Sequence, residues 1–159
     1  MAIEESASVA IDRAAAVVFE RLIDVGRWPE WFIASGIVGV ARVPDASGPL
    51  GVDSRLVVEQ RLAGVRTSTI DAHVAALEVP TRFAVHGRDA DGIGVEIDAT
   101  IEPLDAGCRL DWRLRIELPL RYRAFGSMVA PQVRRALALD LEAFRRSFRD
   151  GETPVQADP

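Results

Sequence analysis

The 159-residue chain contains no lysine and no asparagine. All 19 of its basic residues are therefore arginines, and chemistry through a lysine Schiff base is excluded. Both absences fit the codon bias of a GC-rich genome. Cys108 is the single cysteine, which rules out a disulfide framework and a thiolate metal cluster. The two histidines have no carboxylates at ligand spacing, so no metal is expected. A net charge of −5 argues against nucleic acid as a partner, because general nucleic-acid binders carry a basic excess. No apolar run is long either: "WFIASGIVGVA" falls well short of the ~20 residues a membrane helix needs, so no stable membrane insertion is expected. The N-terminal "MAIEESASVAIDR" has glutamates where a signal peptide needs positive charge, and a cytoplasmic location is the expectation. There is no G-x-S-x-G elbow and no P-loop. "GIGVEI" lacks the third glycine of a dinucleotide fingerprint, so no cofactor is expected.

What is present reads as one domain over residues 1–149, followed by a polar tail at 150–159, with two prolines and no periodicity, expected to be disordered. "SASVAID" alternates Ala7, Val9 and Ile11 with polar neighbours, as a half-buried strand does. Asp12 is placed to cap the helix "RAAAVVFERLID", with Val17, Val18, Phe19 and Leu22 available for burial and Gly26 as its end. Pro29 suits the first turn of a second short helix carrying Trp31 and Phe32. From about Ser35 to Glu117 the period becomes two, with reversals at "PDASGPLG", "AGV", "VPT", "DADG" and "DAGC". The clearest strand is "RLDWRLRIEL", where Leu110, Trp112, Leu114 and Ile116 face one way and charged residues the other. A long helical pattern then runs from about Arg121 to Arg149, interrupted by Pro131, with Phe125, Val129, Val133, Leu137 and Phe144 on one arc. The expected fold is α+β: a curved antiparallel sheet of about seven strands, two short helices, and a long C-terminal helix covering the dry face.

This element order, with "DVGRWPEW" after the first helix, resembles the START-like or SRPBCC superfamily, the helix-grip fold of START and Bet v 1-like proteins. Within it the chain is most similar to the polyketide cyclase/dehydrase and lipid-transport group. Asp24, Trp28, Pro29 and Trp31 match its D-x-x-x-W-P-x-W stretch. "EVPTRFAV" resembles its pro-pro-x-arg turn, with Val79 in place of the first proline. The resemblance covers about residues 3 to 149 and implies a cavity between sheet and C-terminal helix.

Trp31, Phe32, Leu56, Val58, Phe83, Val85, Val95, Ile97, Trp112 and Leu114, with Val129 and Val133 on the helix, are the candidate apolar lining. Packing anchors are the blander reading of Trp28, Trp31 and Trp112. Asp140 lies inside the apolar arc of the helix, and a buried carboxylate needs a partner. Either Asp140 pairs with an arginine, or its face of the helix is more exposed than the arc suggests, or it is a polar anchor or acid/base group within the cavity. Gln60 shares the parity of Val58 and is the second candidate anchor. His73 and His86 fall on the wet face by parity, and Cys108 on the covered one.

The function expected is binding, and as an open alternative transport, of a small hydrophobic molecule such as a lipid or polyketide-like compound. Two alternatives stand beside it: a cyclase, aromatase or dehydratase, and an interaction protein with a vestigial cavity. No catalytic residue is identifiable, and whether a reaction is catalysed is left open. A homodimer is also left open.

Overall fold

The computed structural model describes residues 1–44, 48–62 and 66–150. The "AGV" reversal, the middle of the "PDASGPLG" turn and the tail from residue 151 lie outside the described residues. Strand β1 (Ala2–Ile11) leads through helix α1 (Ala15–Leu22) and a 3₁₀ helix (Val25–Glu30) to six further strands. These are β2 (Ile37–Val43), β3 (Arg55–Leu62), β4 (Arg66–Glu78), β5 (Arg82–Asp89), β6 (Gly94–Pro103) and β7 (Cys108–Glu117). A second 3₁₀ helix (Leu120–Phe125) precedes the long helix α2 (Gly126–Asp150). The seven strands form one antiparallel sheet in the order β1-β7-β6-β5-β4-β3-β2. This is the helix-grip architecture that the family resemblance implies.

On β5, opposite Ala72 of β4, Gly87 permits close approach of the two strands. A Cβ there would lie 2.7 Å from Ile70 Cγ2 and 2.9 Å from Ala72 Cβ. Directly opposed residues in an antiparallel ladder share a face, so the registers order the inner face into rows. Phe83, Ala99, Trp112 and Ala7 form one row; Val74, Val85, Ile97, Leu114 and Glu5 the next; Gly87, Val95, Ile116 and Ile3 the third.

Several local expectations are corrected. Asp12 does not cap α1: Ala14 holds that position in an extended conformation (ψ 145°) without a side-chain bond. Ile11 is still paired with Cys108, and the chain must clear the sheet before it can turn into a helix. α1 ends at Leu22, so Gly26 and Pro29 both sit inside the 3₁₀ helix that follows. Val17 is 47% exposed. The long helix starts at Gly126 and runs through Pro131. Phe125 belongs to the preceding 3₁₀ turn, where the 100° spacing of an α-helix no longer applies, and it is 53% exposed.

The C-terminal half of α2 is docked by aromatic and arginine contacts. Phe144 meets Trp31 edge-on at 5.2 Å between ring centroids, and Phe148 meets Phe144 at the same distance. The Arg21 guanidinium lies 4.0 Å over the Phe148 ring and donates to Ser147 Oγ at 3.1 Å, while Arg13 donates to the Phe148 carbonyl. At its other end α2 is tied to β1 by a two-pronged ion pair from Arg134 to Glu5, at 3.0 and 3.1 Å.

Candidate functional site

The tryptophan motif and Asp140 form one construction. The 3₁₀ helix ends at Trp31, and Phe32 N–H returns to the Trp28 carbonyl at 2.8 Å. The next turn bonds Gly36 N–H to Ile33 and Ile37 N–H to Phe32. Two backbone donors, those of Ala34 and Ser35, have no carbonyl to meet within that turn. Asp140 takes both, at 2.8 and 3.0 Å, and also accepts the Ser35 hydroxyl. Gln60 Nε2 donates to the Ser35 carbonyl at 2.8 Å, and Arg61 N–H to the Gly36 carbonyl at 2.7 Å. The turn 33–36 is thus fixed to α2 on one side and to β3 on the other. Asp140 is 1% exposed, and burial pushes its carboxyl above the usual carboxylate range, with the Ser35 and Ala34 hydrogen bonds opposing that shift. Both polar residues singled out in the sequence therefore hold the chain to itself.

Below this turn, Trp28, Phe32, Phe83 and Trp112 form an aromatic plug. Phe32 and Trp112 are 5.0 Å apart, and Trp28 stands edge-on to Phe32, Trp112 and Phe83 at 5.2, 6.1 and 6.3 Å. Trp28 Nε1 donates to the Leu22 carbonyl at 2.9 Å, which caps the end of α1, whereas Trp31 Nε1 is buried without a hydrogen-bond partner. Of the candidate lining residues, Trp31, Phe32, Leu56, Val58, Phe83, Val85 and Trp112 are all buried in this core.

The remaining candidates are placed differently. Val95, Ile97 and Leu114 are only half-buried, although they sit on the inner face of β6 and β7, flanked by strands on both sides. They are the inner-face positions of β6 and β7 that the core covers incompletely. Val133 on α2 is likewise half-buried, and Val129, one turn earlier, is 36% exposed. The inner face is therefore fully buried at the Trp28–Trp112 end and only half-buried along Val95, Ile97 and Leu114. Glu5 and Arg134 bridge strand and helix beside this half-buried part, and the guanidinium holds the Glu5 carboxyl below its usual range. Glu5 was missed in the sequence, though a charge on the apolar parity of Ile3, Ala7 and Val9 is the same signal that singled out Asp140.

The outer face is chemically distinct. Two adjoining grooves of about 430 and 450 Å³ share His86, Glu96 and Arg115, and their lining is mostly charged, with Val95 bordering the first and Glu5 and Leu114 the second. His73 and His86 stand side by side at 5.9 Å, His73 exposed and His86 half-buried. Among the described residues no three histidine, cysteine or acidic side chains are grouped to hold a metal. Cys108 is fully buried, and burial pushes its thiol upward. No helix among the described residues is long and apolar enough to cross a membrane.

Solved structures share this architecture at low identity. TTHA0849 from Thermus thermophilus superposes with a TM-score of 0.75 at 13% identity, over 94% of this chain and 99% of that one. The Zhui aromatase/cyclase from Streptomyces sp. R1128 gives 0.73 at 16% identity, over 96% and 99%. The di-domain ARO/CYC StfQ from the steffimycin biosynthetic pathway gives 0.72 at 9% identity, over 95% of this chain and 52% of that one. A comparison with curated protein sequences returned no match. The family described as polyketide cyclase/dehydrase and lipid transport matches residues 2–149. With its seven-stranded antiparallel sheet, its W-P-x-W turn and its long C-terminal helix, the chain belongs to the polyketide cyclase/dehydrase and lipid-transport family of the START-like superfamily.

Proposed function

We propose that the chain binds a small, largely apolar molecule in the space between the inner face of β6–β7 and the first turns of α2. The observation that carries this reading is the partial exposure of Val95, Ile97 and Leu114 on strands that have neighbours on both sides. Covering them would contribute ~25 cal/mol per Å² of apolar surface removed from water, before the costs of association. Leu56, Val58, Val85, Phe83 and Trp112 form the base on which the ligand rests, with Val129 and Val133 as its lid. Trp31 and Phe32 shape that base from behind.

Binding is favoured over a cyclase reading by what Asp140 and Gln60 do. Both direct their hydrogen bonds at the turn 33–36, whereas proton transfer needs polar groups converging on the substrate. Glu5, bonded to Arg134, is the charged group nearest the lining rows, and it would orient a polar end of the ligand.

Native mass spectrometry of the protein isolated from its own host tests the reading. A co-purifying hydrophobic mass, released on denaturation, is the expected result. Ligand-free protein in repeated preparations, with no adduct on incubation with fatty acids or aromatic polyketides, would contradict it.

A further inference from the structure

The start of α2 and the 3₁₀ helix before it carry an unusual surface. From Leu118 to Leu139 the chain has four arginines and no acidic residue. With −5 for the whole chain and +4 here, the other residues carry −9. The same segment displays apolar side chains to solvent: Leu120 is 81% exposed, Met128 68%, Leu139 57% and Phe125 53%. Along α2, Met128, Gln132, Arg135 and Leu139 follow at helical spacing and lie opposite the buried stripe of Leu137, Leu141 and Phe144. Met1, itself half exposed, extends the patch, because its side chain lies against Gly126.

Two of the arginines are engaged, Arg134 with Glu5 and Arg121 with both the carbonyl and, at 3.9 Å, the carboxylate of Asp91. Arg123 and Arg135 are exposed and have no ion-pair partner among the described residues. Exposed apolar side chains interleaved with unpaired arginines, on a segment with no acid of its own, complement one kind of partner: a surface that is anionic outside and apolar just beneath. A second copy of this chain docked patch to patch fits poorly, since both patches are basic.

We infer that this patch docks the protein on an anionic lipid bilayer. Leu120, Phe125 and Met128 enter the headgroup region, and Arg123 and Arg135 meet lipid phosphates. The contact is peripheral. Position gives it a purpose: the patch lies at the end of the sheet where Glu117 pairs with Ala2 and Gly94 and Met1 lies against Gly126, the end that also carries the half-buried Val95. Docking there sets that end against the bilayer, so that an apolar molecule passes between membrane and pocket without crossing water. That purpose rests on the pocket proposed above; the docking itself does not.

Flotation with phosphatidylcholine vesicles, with and without phosphatidylglycerol, tests the docking. The wild-type chain is expected to float with the anionic vesicles at ~0.1 M salt and to be released near ~1 M, where the screening length shrinks to about 3 Å. Arg123→Gln/Arg135→Gln should weaken binding by about tenfold or more, each arginine contributing through the surface potential. Leu120→Ser/Met128→Ser should weaken it comparably with an unchanged melting temperature. Ile97→Trp, which fills the pocket, should bind vesicles as the wild type does, so the docking is read separately from ligand binding. Equal binding to neutral vesicles, loss with the arginine pair but not the apolar pair, loss with Ile97→Trp, or a stable dimer that the apolar pair dissociates would each overturn the inference.

Discussion

Replacing Asp140 by alanine removes the acceptor for two backbone N–H groups and one hydroxyl, all on a single turn of chain. Hydrogen bonds to a charged acceptor contribute about 1.5–3 kcal/mol each when neither end is repaid by water. Here water repays part, because Ala34 is exposed and Ser35 half-buried. Removing a buried carboxylate also returns its desolvation cost. The balance is a loss of about 2–3 kcal/mol, where one lost bond near the surface would be about 1. For a chain of this size that lowers the melting temperature by about 4–12 °C. Asp140→Asn keeps one oxygen but turns an NH₂ donor toward the turn's own donors, and is expected to cost about 1–2 kcal/mol.

The pH dependence gives a second, independent reading. Asp140 has a folded-state pKa raised above its unfolded value by burial. Its protonation therefore favours the folded state. That contribution is complete below the unfolded value near 3.8 and is lost as pH rises through the folded value. Relative to Asp140→Asn, the wild-type chain should thus lose stability on going from acid toward neutral pH. Thermal melts at several pH values measure both effects. A melting temperature for Asp140→Ala within about 1 °C of wild type, or a wild-type-minus-Asn difference that grows toward neutral pH, would refute the argument.

The two tryptophans of the motif should respond unequally. Trp28→Phe loses the bond to the Leu22 carbonyl, whereas Trp31→Phe removes an indole N–H that has no partner. Trp28→Phe should therefore be the less stable variant by about 1 kcal/mol in denaturant melts, and a reversed order would count against the packing described. Gly36 has φ +77°, and a Cβ there would lie 2.1 Å from the Arg61 carbonyl oxygen. Gly36→Ala should accordingly destabilise by more than about 2 kcal/mol, and near-neutral stability would contradict the close packing of this turn on β3.

Much of the fold was legible because strict alternation is hard to mistake. Leu110, Trp112 and Leu114 against Arg109, Arg113 and Arg115 announce a strand with one covered face, and β7 follows that pattern along its length. The W-P-x-W stretch located the joint after α1. Boundaries were less legible: Asp12 is a good capping residue in isolation, but strand pairing at Ile11 determines where the chain is free to turn. The angular position of Asp140 correctly announced a buried carboxylate. Its partners could not be found the same way, because the Ala34 and Ser35 N–H groups lie over a hundred residues earlier and are backbone atoms of a kind that nearly every residue possesses. Nor does alternation distinguish a buried inner-face position from a half-buried one. Val85 and Ile97 occupy one cross-strand row, yet the first is buried and the second half-buried.

The central claim is that an apolar molecule occupies the space beside Ile97 and Leu114. Titration with anilinonaphthalene sulfonate, read by its fluorescence, tests it most directly when the wild type is compared with Ile97→Trp and Met128→Ser. The account predicts saturable binding by the wild type, its loss in Ile97→Trp at an undiminished melting temperature, and its retention in Met128→Ser. Undiminished binding by Ile97→Trp would contradict it.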